Sequence, residues 1–169
     1  MVAEEQSWIS KKLTDASIGL DDPDDQARAV VLAAVGINTA MGAVPFGINM
    51  LTFASVDMVM VAAVGTIYGY IYSHEQAGEL VKSILGAATF GTGIYLLAAK
   101  AFAESAKATG VAITPFYVLG MSMDMFISGS VTYAIGFTSK NYFERGATMS
   151  RAEMRRAFKR NLNDGKARR

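Results

Sequence analysis

The chain of 169 residues contains no cysteine and a single histidine, His74. Without cysteine it has no disulfide, thiol nucleophile or zinc-thiolate site, and one histidine cannot supply an imidazole-rich metal centre. The sequence also lacks a GxxxxGK[ST] phosphate loop, an HExxH pair and a nucleophile elbow, motifs that indicate nucleotide, zinc-hydrolase and serine-hydrolase chemistry. We therefore expect a protein that is not an enzyme and that uses no metal or cofactor.

Charged residues are scarce, at 18% of the chain, and they are concentrated at its two ends. Residues 1–28 hold seven acids and three bases, a net charge of −4, whereas residues 140–169 hold three acids and ten bases, a net charge of +7. Soluble domains typically have about 25% charged residues. The composition therefore favours contact with a bilayer or with a large partner surface. The start of the chain lacks the basic segment and apolar run of a secretory signal, so we expect the amino terminus to be cytoplasmic.

The apolar middle of the chain predicts two helices joined by a turn. No charged residue occurs over the 28 positions from Ala29 to Val56, and Pro45 interrupts this run because proline removes a backbone donor. We predict helices over about 23–43 and 47–72. Since a bilayer core of about 30 Å needs about 20 helical residues, this apolar hairpin either enters a membrane or packs in a soluble core.

Further helices are predicted on both sides of this hairpin. Apolar residues at helical spacing around Trp8 indicate a short amphipathic helix. Ser73 begins a capping box that predicts a helix over about 74–108, and Ser150 begins another that opens a basic helix. Pro115 opens a second apolar segment between them.

Together these patterns predict an all-α fold, a membrane-associated bundle of two apolar helical hairpins with a basic C-terminal helix. The chain divides into an acidic N-terminal segment with a short amphipathic helix (1–22), an apolar helical-hairpin domain (23–146), and a basic amphipathic helix with its tail (147–169).

Asp57 and Asp124 are the acids inside the two most apolar segments. A carboxylate in an apolar environment is costly, so such residues often belong to an ion or proton path. Two other interpretations stay open. Either acid could form a buried pair with Lys82 or Lys100, or lie near a helix end or a polar seam.

Gly65 and Gly69 are spaced as in a GxxxG motif, in which two small residues one turn apart let another helix approach closely. The motif predicts helix packing at these glycines. Both packing within the bundle and the face of a homo-oligomer are compatible with it.

Apolar residues share one face of the helix after Ser150, and basic residues surround them. A helix of this kind suits an anionic lipid surface, an acidic protein or nucleic acid. Its position after apolar helices favours lipid headgroups, and the positive-inside rule then places it in the cytoplasm, so nucleic acid is not the expected partner. The predicted membrane or partner contacts are Arg155, Arg156, Lys159 and Arg160.

Three stretches of the chain carry a family resemblance: AVPFGINMLTFASVDMVMVAAVGTIYGYIYS, EQAGELVKSILG and GSVTYAIGFTSKNYFERGATMSRAEMRRAFK. In this order they resemble the bacterial YcjF-like family, domain of unknown function 697. The resemblance implies a membrane-associated helical domain of a kind that is frequently attached to, or encoded beside, a GTPase.

We therefore expect a non-enzymatic anchor or scaffold on the lipid bilayer of the bacterial inner membrane, with both termini in the cytoplasm and a separate GTPase as a candidate partner. Two other classes stay open. A pore or transporter component would need Asp57 and Asp124 to face a shared aqueous path. A soluble helical interaction module would need the apolar faces of the helices to close on one another.

Overall fold

A computed structural model of the chain describes residues 2–42, 49–88 and 115–167. This part of the chain forms six helices and no strand, which confirms the predicted all-α fold. The predicted turn at Pro45 and the predicted helix beyond residue 88 lie outside the described residues. The helices are α1 (Val2–Ser17), α2 (Pro23–Gly42), α3 (Asn49–Ile67), α4 (His74–Ala88), α5 (Pro115–Glu144) and α6 (Arg151–Ala167).

Side-chain caps determine where α2, α4 and α6 begin. Before α2, the carboxylate of Asp22 accepts a 2.7 Å hydrogen bond from the backbone N–H two residues along the chain. Both predicted capping boxes are present: Ser73 exchanges hydrogen bonds of 2.8 and 3.2 Å with Gln76, and Ser150 exchanges bonds of 2.8 and 3.3 Å with Glu153. These local interactions satisfy backbone donors that a helix start leaves without partners.

The long helix α5 lies at the centre of the bundle and packs against α2, α3, α4 and α6. The helix α1 is longer than predicted, and it covers α2 and α3 through the fully buried side chains of Ile9 and Leu13. The apolar faces of α2, α3 and α4 share one core with α1, α5 and α6. The N-terminal helix is therefore part of the same bundle as the apolar hairpin.

Gly136 on α5 allows three helices to meet closely. A Cβ atom at this position would lie 2.5 Å from Cγ1 of Val31 on α2 and 2.9 Å from Sδ of Met60 on α3. Both of these side chains are fully buried. The absence of a side chain at Gly136 is therefore what allows α5 to approach α2 and α3 at this point.

Within the described part of the chain, no helix combines the length and the apolar character that crossing a membrane requires. The expected transmembrane helix is therefore not supported there. The described arms of the apolar hairpin carry charges, at Asp24, Asp25 and Arg28 in the first two turns of α2 and at Asp57 in α3.

Candidate functional site

Polar side chains are concentrated inside the bundle. Of the ten buried polar or charged residues among those described, seven lie on α5 between Asp124 and Lys140. Asp124, Ser128 and Thr132 follow one another at intervals of four residues, which places them along one side of the helix. We call these three residues, together with Asn38 and Asp57, the polar seam.

Asp57 lies at the meeting point of three helices. The Nδ2 atom of Asn38, on α2, donates hydrogen bonds of 3.1 Å to Oδ1 of Asp57 and of 2.7 Å to Oγ1 of Thr132, on α5. Asn38 is fully buried and Asp57 is only 7% exposed. The amide oxygen of Asn38 has no hydrogen-bond donor among the described residues. The Asn38 side chain thus uses its nitrogen as a donor to two helices, while its buried oxygen accepts no hydrogen bond from the described residues.

Burial has a large effect on the acidity of Asp57. Removal of the carboxylate from water raises its pKa from 3.8 to about 7, although hydrogen bonds from Thr132 and Asn38 act in the opposite direction. Near neutral pH this side chain therefore exchanges between its protonated and ionised forms inside the bundle.

Asp124 is fully buried and lies two turns away from Thr132 on α5. The hydroxyl of Ser128 donates a 3.3 Å hydrogen bond to its carboxylate. The polar seam therefore brings both predicted acids into the interior, on α3 and α5. Of the interpretations left open, a buried pair with Lys82 is not formed, because Lys82 is exposed and bonds Glu79 at 2.7 Å. Lys100 lies outside the described residues.

Lys140 is a further buried charged residue, and it was not among the predicted site residues. Its ammonium group pairs with Asp24 from the first turn of α2 and lies 3.4 Å from the carboxylate of Glu144. Burial by itself lowers the pKa of Lys140, but the hydrogen bond from Lys140 to Asp24 and the nearby charges raise the pKa above its ordinary value. The pair ties the start of α2 to the end of α5.

The two glycines of the GxxxG motif lie in different surroundings. A Cβ atom at Gly65 would lie 3.1 Å from Cζ of Phe143, so this residue permits close packing of α3 on α5 within the bundle. Gly69 lies after the end of α3, with a φ of 82° and nothing within 4 Å of its Cβ position. Its N–H bonds to the carbonyl of Thr66 and that of Tyr70 bonds to the carbonyl of Gly65, a Schellman motif. Gly69 therefore ends the helix, because φ values above zero favour glycine.

The C-terminal helix α6 buries one face and exposes the other. Its buried face contacts α5 and α4, and Asn161 donates a 3.2 Å hydrogen bond to Thr138 there. The residues of this face are Met154, Ala157, Phe158, Asn161, Leu162 and Gly165. The exposed face carries the four predicted contact residues Arg155, Arg156, Lys159 and Arg160, together with Arg151. We call these five residues the basic face. Since the apolar side of α6 is already covered by protein, the basic face lies on the side of α6 that remains exposed.

Chemically, the site thus has two parts, a buried carboxylate that titrates near neutral pH and an exposed row of cations. In the described part of the chain, no group of three or more His, Cys, Asp or Glu side chains is placed to hold a metal ion. Asn38 and Thr132 were not predicted. The available signals were an asparagine inside an uncharged run and a threonine eight residues after Asp124.

Comparison with known proteins identifies a family. The sequence model of a family described as "Domain of unknown function (DUF697)" matches residues 16–167. No curated protein and no solved structure shows a significant match to the chain.

Proposed function

The chain belongs to the DUF697 family, and from this membership and the geometry of α6 we propose that it is a non-enzymatic helical scaffold held at an anionic membrane surface. The feature that supports the proposal is the basic face. Its cations are exposed on one side of a helix whose other side is packed against the bundle. They therefore form a row of charge on the surface of the folded domain.

Electrostatic attraction accounts for the attachment. Each basic residue near an anionic lipid surface contributes about 1 kcal/mol, and this attraction fades beyond a Debye length of about 8 Å at physiological salt. Because the apolar side of α6 is buried, insertion of this side into the acyl chains would require α6 to leave the bundle. The proposed attachment therefore depends on charge and decreases as salt rises.

The proposed location is the cytoplasmic leaflet of the bacterial inner membrane, with both termini in the cytoplasm. The protein held there would be a separate GTPase. The support for this partner is the resemblance to YcjF-like domains, which are frequently attached to or encoded beside GTPases.

Binding of the whole chain to phosphatidylserine vesicles tests the proposal. Changing Arg155, Arg156, Lys159 and Arg160 to Gln should weaken binding by orders of magnitude at low salt, and the difference should shrink as salt rises. The matched control changes four exposed cations outside α6, Lys11, Lys12, Arg28 and Lys82, to Gln. This control has the same net charge and should bind nearly as wild type does.

Equal binding by the two variants, or binding that ignores salt, would refute the proposal. If vesicles are not bound but the basic face captures an acidic protein, the chain is a helical interaction module instead. That outcome would fit the closure of its apolar faces on one another.

The polar seam favours a second candidate function, a pore or transporter component that uses Asp57 and Asp124. The supporting observation is that both carboxylates are buried. Ser128 and Thr132 follow Asp124 at successive turns of α5, and Asn38 links Thr132 to Asp57 on α3. Hydroxyl and carboxyl groups can pass protons to one another, and buried acids of this kind occur in the proton relays of transporters.

A further inference from the structure

A depression of about 160 Å³ lies where α5 and α6 meet, and three arginines are among the residues that line it. They are Arg145, which follows the last residue of α5, and Arg156 and Arg160 on α6. We call this group the arginine notch. It includes two residues of the basic face and adds a cation from a different element.

The turn between the two helices creates the notch. After α5, the N–H of Gly146 bonds to the carbonyl of Phe143 at 2.9 Å, and the N–H of Ala147 bonds to that of Tyr142 at 2.9 Å. This Schellman motif ends α5 and reverses the chain, so that α6 runs back along it. Arg156 and Arg160 are one turn apart and therefore lie on one side of α6, the side that Arg145 reaches.

The charges of the notch do not cancel. Glu153 is the acidic residue of its lining, and one carboxylate oxygen lies 4.0 Å from Nη1 of Arg145. The other oxygen accepts hydrogen bonds of 2.8 and 2.6 Å from the backbone N–H and the hydroxyl of Ser150, at the start of α6. These bonds, and then the charges of Arg145 and Arg156, hold the pKa of Glu153 below its ordinary value. Three cations and one anion leave the notch with two positive charges.

We propose that the arginine notch binds a phosphomonoester group. Guanidinium groups match phosphate oxygens in paired, charge-assisted hydrogen bonds. A phosphomonoester near neutral pH carries between about 1.5 and 2 negative charges, which matches the net charge of the notch, whereas a phosphodiester carries one. The inference rests on the proposed function in assigning the binding surface to α6. It adds a preference for phosphomonoesters over phosphodiesters to the general attraction between the basic face and anionic lipid.

Two pairs of substitutions on one helix separate the notch from general attraction. The notch variant changes Arg156 and Arg160 to Gln, and the control changes Arg155 and Lys159 to Gln. Both remove two exposed cations from α6. A third variant, Arg145→Gln, alters the notch at a position outside α6, and circular dichroism checks that each variant is folded.

The first arm titrates each protein with glycerol 3-phosphate and follows the arginine Nε–Hε signals by NMR. Wild type and the control pair should bind glycerol 3-phosphate with the same affinity. The affinity of the notch pair and of Arg145→Gln should be lower by a factor of roughly ten or more. The second arm compares vesicles of phosphatidic acid and phosphatidylserine at equal surface charge. Wild type and the control pair should prefer phosphatidic acid, and the notch pair should lose that preference.

If the protein binds glycerol 3-phosphate but does not prefer phosphatidic acid, the notch is assigned to soluble phosphomonoesters. If it prefers phosphatidic acid but does not bind glycerol 3-phosphate, the notch is assigned to lipid headgroups. Either result supports the inference if it depends on the notch. The inference is wrong if neither arm gives a response, or if the control pair loses as much as the notch pair. Because the first arm contains no membrane, failure of the proposed membrane attachment would leave its result intact.

Discussion

Asn38 on α2 donates a 3.1 Å hydrogen bond to Asp57 on α3, and the same nitrogen donates one of 2.7 Å to Thr132 on α5. A single buried amide thus links three helices. Loss of either hydrogen bond would leave a buried polar group without a partner, at a cost of about 1–3 kcal/mol. These hydrogen bonds therefore help to hold α3 in place relative to α2 and α5. They also involve the carboxyl group of Asp57, whose pKa is raised to about 7.

Asp57 should make the stability of the protein depend on pH. Because burial raises its pKa from 3.8 to about 7, the folded state keeps a proton that the unfolded chain releases between these values. The contribution of Asp57 to the free energy of unfolding should be largest below pH 4 and should fall by up to about 1.4 kcal/mol per pH unit until pH 7.

The variant Asp57→Asn removes this titration and keeps the shape of the protonated side chain. Urea unfolding between pH 4 and 8 should show the variant gaining stability relative to wild type up to about pH 7, with a constant difference above it. Asp15→Asn, at an exposed position, controls for the loss of one negative charge. A difference between Asp57→Asn and wild type that does not change with pH would contradict this account.

Gly136→Ala should destabilise the bundle by roughly 1–3 kcal/mol, because its methyl group would overlap the side chains of Val31 and Met60. Gly36→Ala is the matched control, since nothing lies within 4 Å of the Cβ position at this exposed site on α2. Alanine has the higher helix propensity, by about 1 kcal/mol, so the control should be at least as stable as wild type. Equal unfolding midpoints for the two variants would show that Gly136 does not control helix packing.

The features that could be predicted from the sequence are the local ones. A capping box involves residues three apart, so Ser73 with Gln76 and Ser150 with Glu153 could be identified without knowledge of the fold. Helical spacing of apolar residues likewise identifies an apolar face on α6. It does not identify what covers that face, because a lipid surface and a neighbouring helix require the same pattern, and here the cover is α5 and α4.

Contacts between distant residues could not be predicted in the same way. Asn38 and Thr132 are 94 residues apart, and only the packing of α2 on α5 brings them together. The GxxxG motif likewise does not indicate whether the helix continues through both of its glycines. Since α3 ends at Ile67, Gly69 belongs to a turn. The sequence around Lys140 does not distinguish it from a surface lysine, because its partner Asp24 lies at the start of a distant helix, α2.

If the polar seam conducts protons, then Asp57→Asn and Asp124→Asn should each abolish pH-gradient-driven flux in proteoliposomes. Asparagine fills the same volume but cannot carry the proton, so circular dichroism should show folded variants. The exposed Asp15→Asn should leave the flux unchanged. Wild-type flux in both seam variants, or no flux in wild type itself, would remove the transporter candidate.

Both termini should lie on the cytoplasmic side of the membrane. The chain has no cysteine, so Ser7→Cys and Asp164→Cys each introduce a single reactive thiol at an exposed position. A maleimide that cannot cross membranes should label neither variant in intact bacterial cells and should label both after lysis. Labelling of either variant in intact cells would place that terminus outside and contradict the proposed location.

The most direct test of the proposed scaffold function is the distribution of the whole chain between membrane and soluble fractions of bacterial cells. Attachment through the basic face predicts that the chain sediments with membranes at low salt and is released by high salt. Changing Arg155, Arg156, Lys159 and Arg160 to Gln should move it to the soluble fraction at low salt. A wild-type chain that is soluble at low salt, or that stays with membranes through both high salt and alkaline carbonate, would contradict the account.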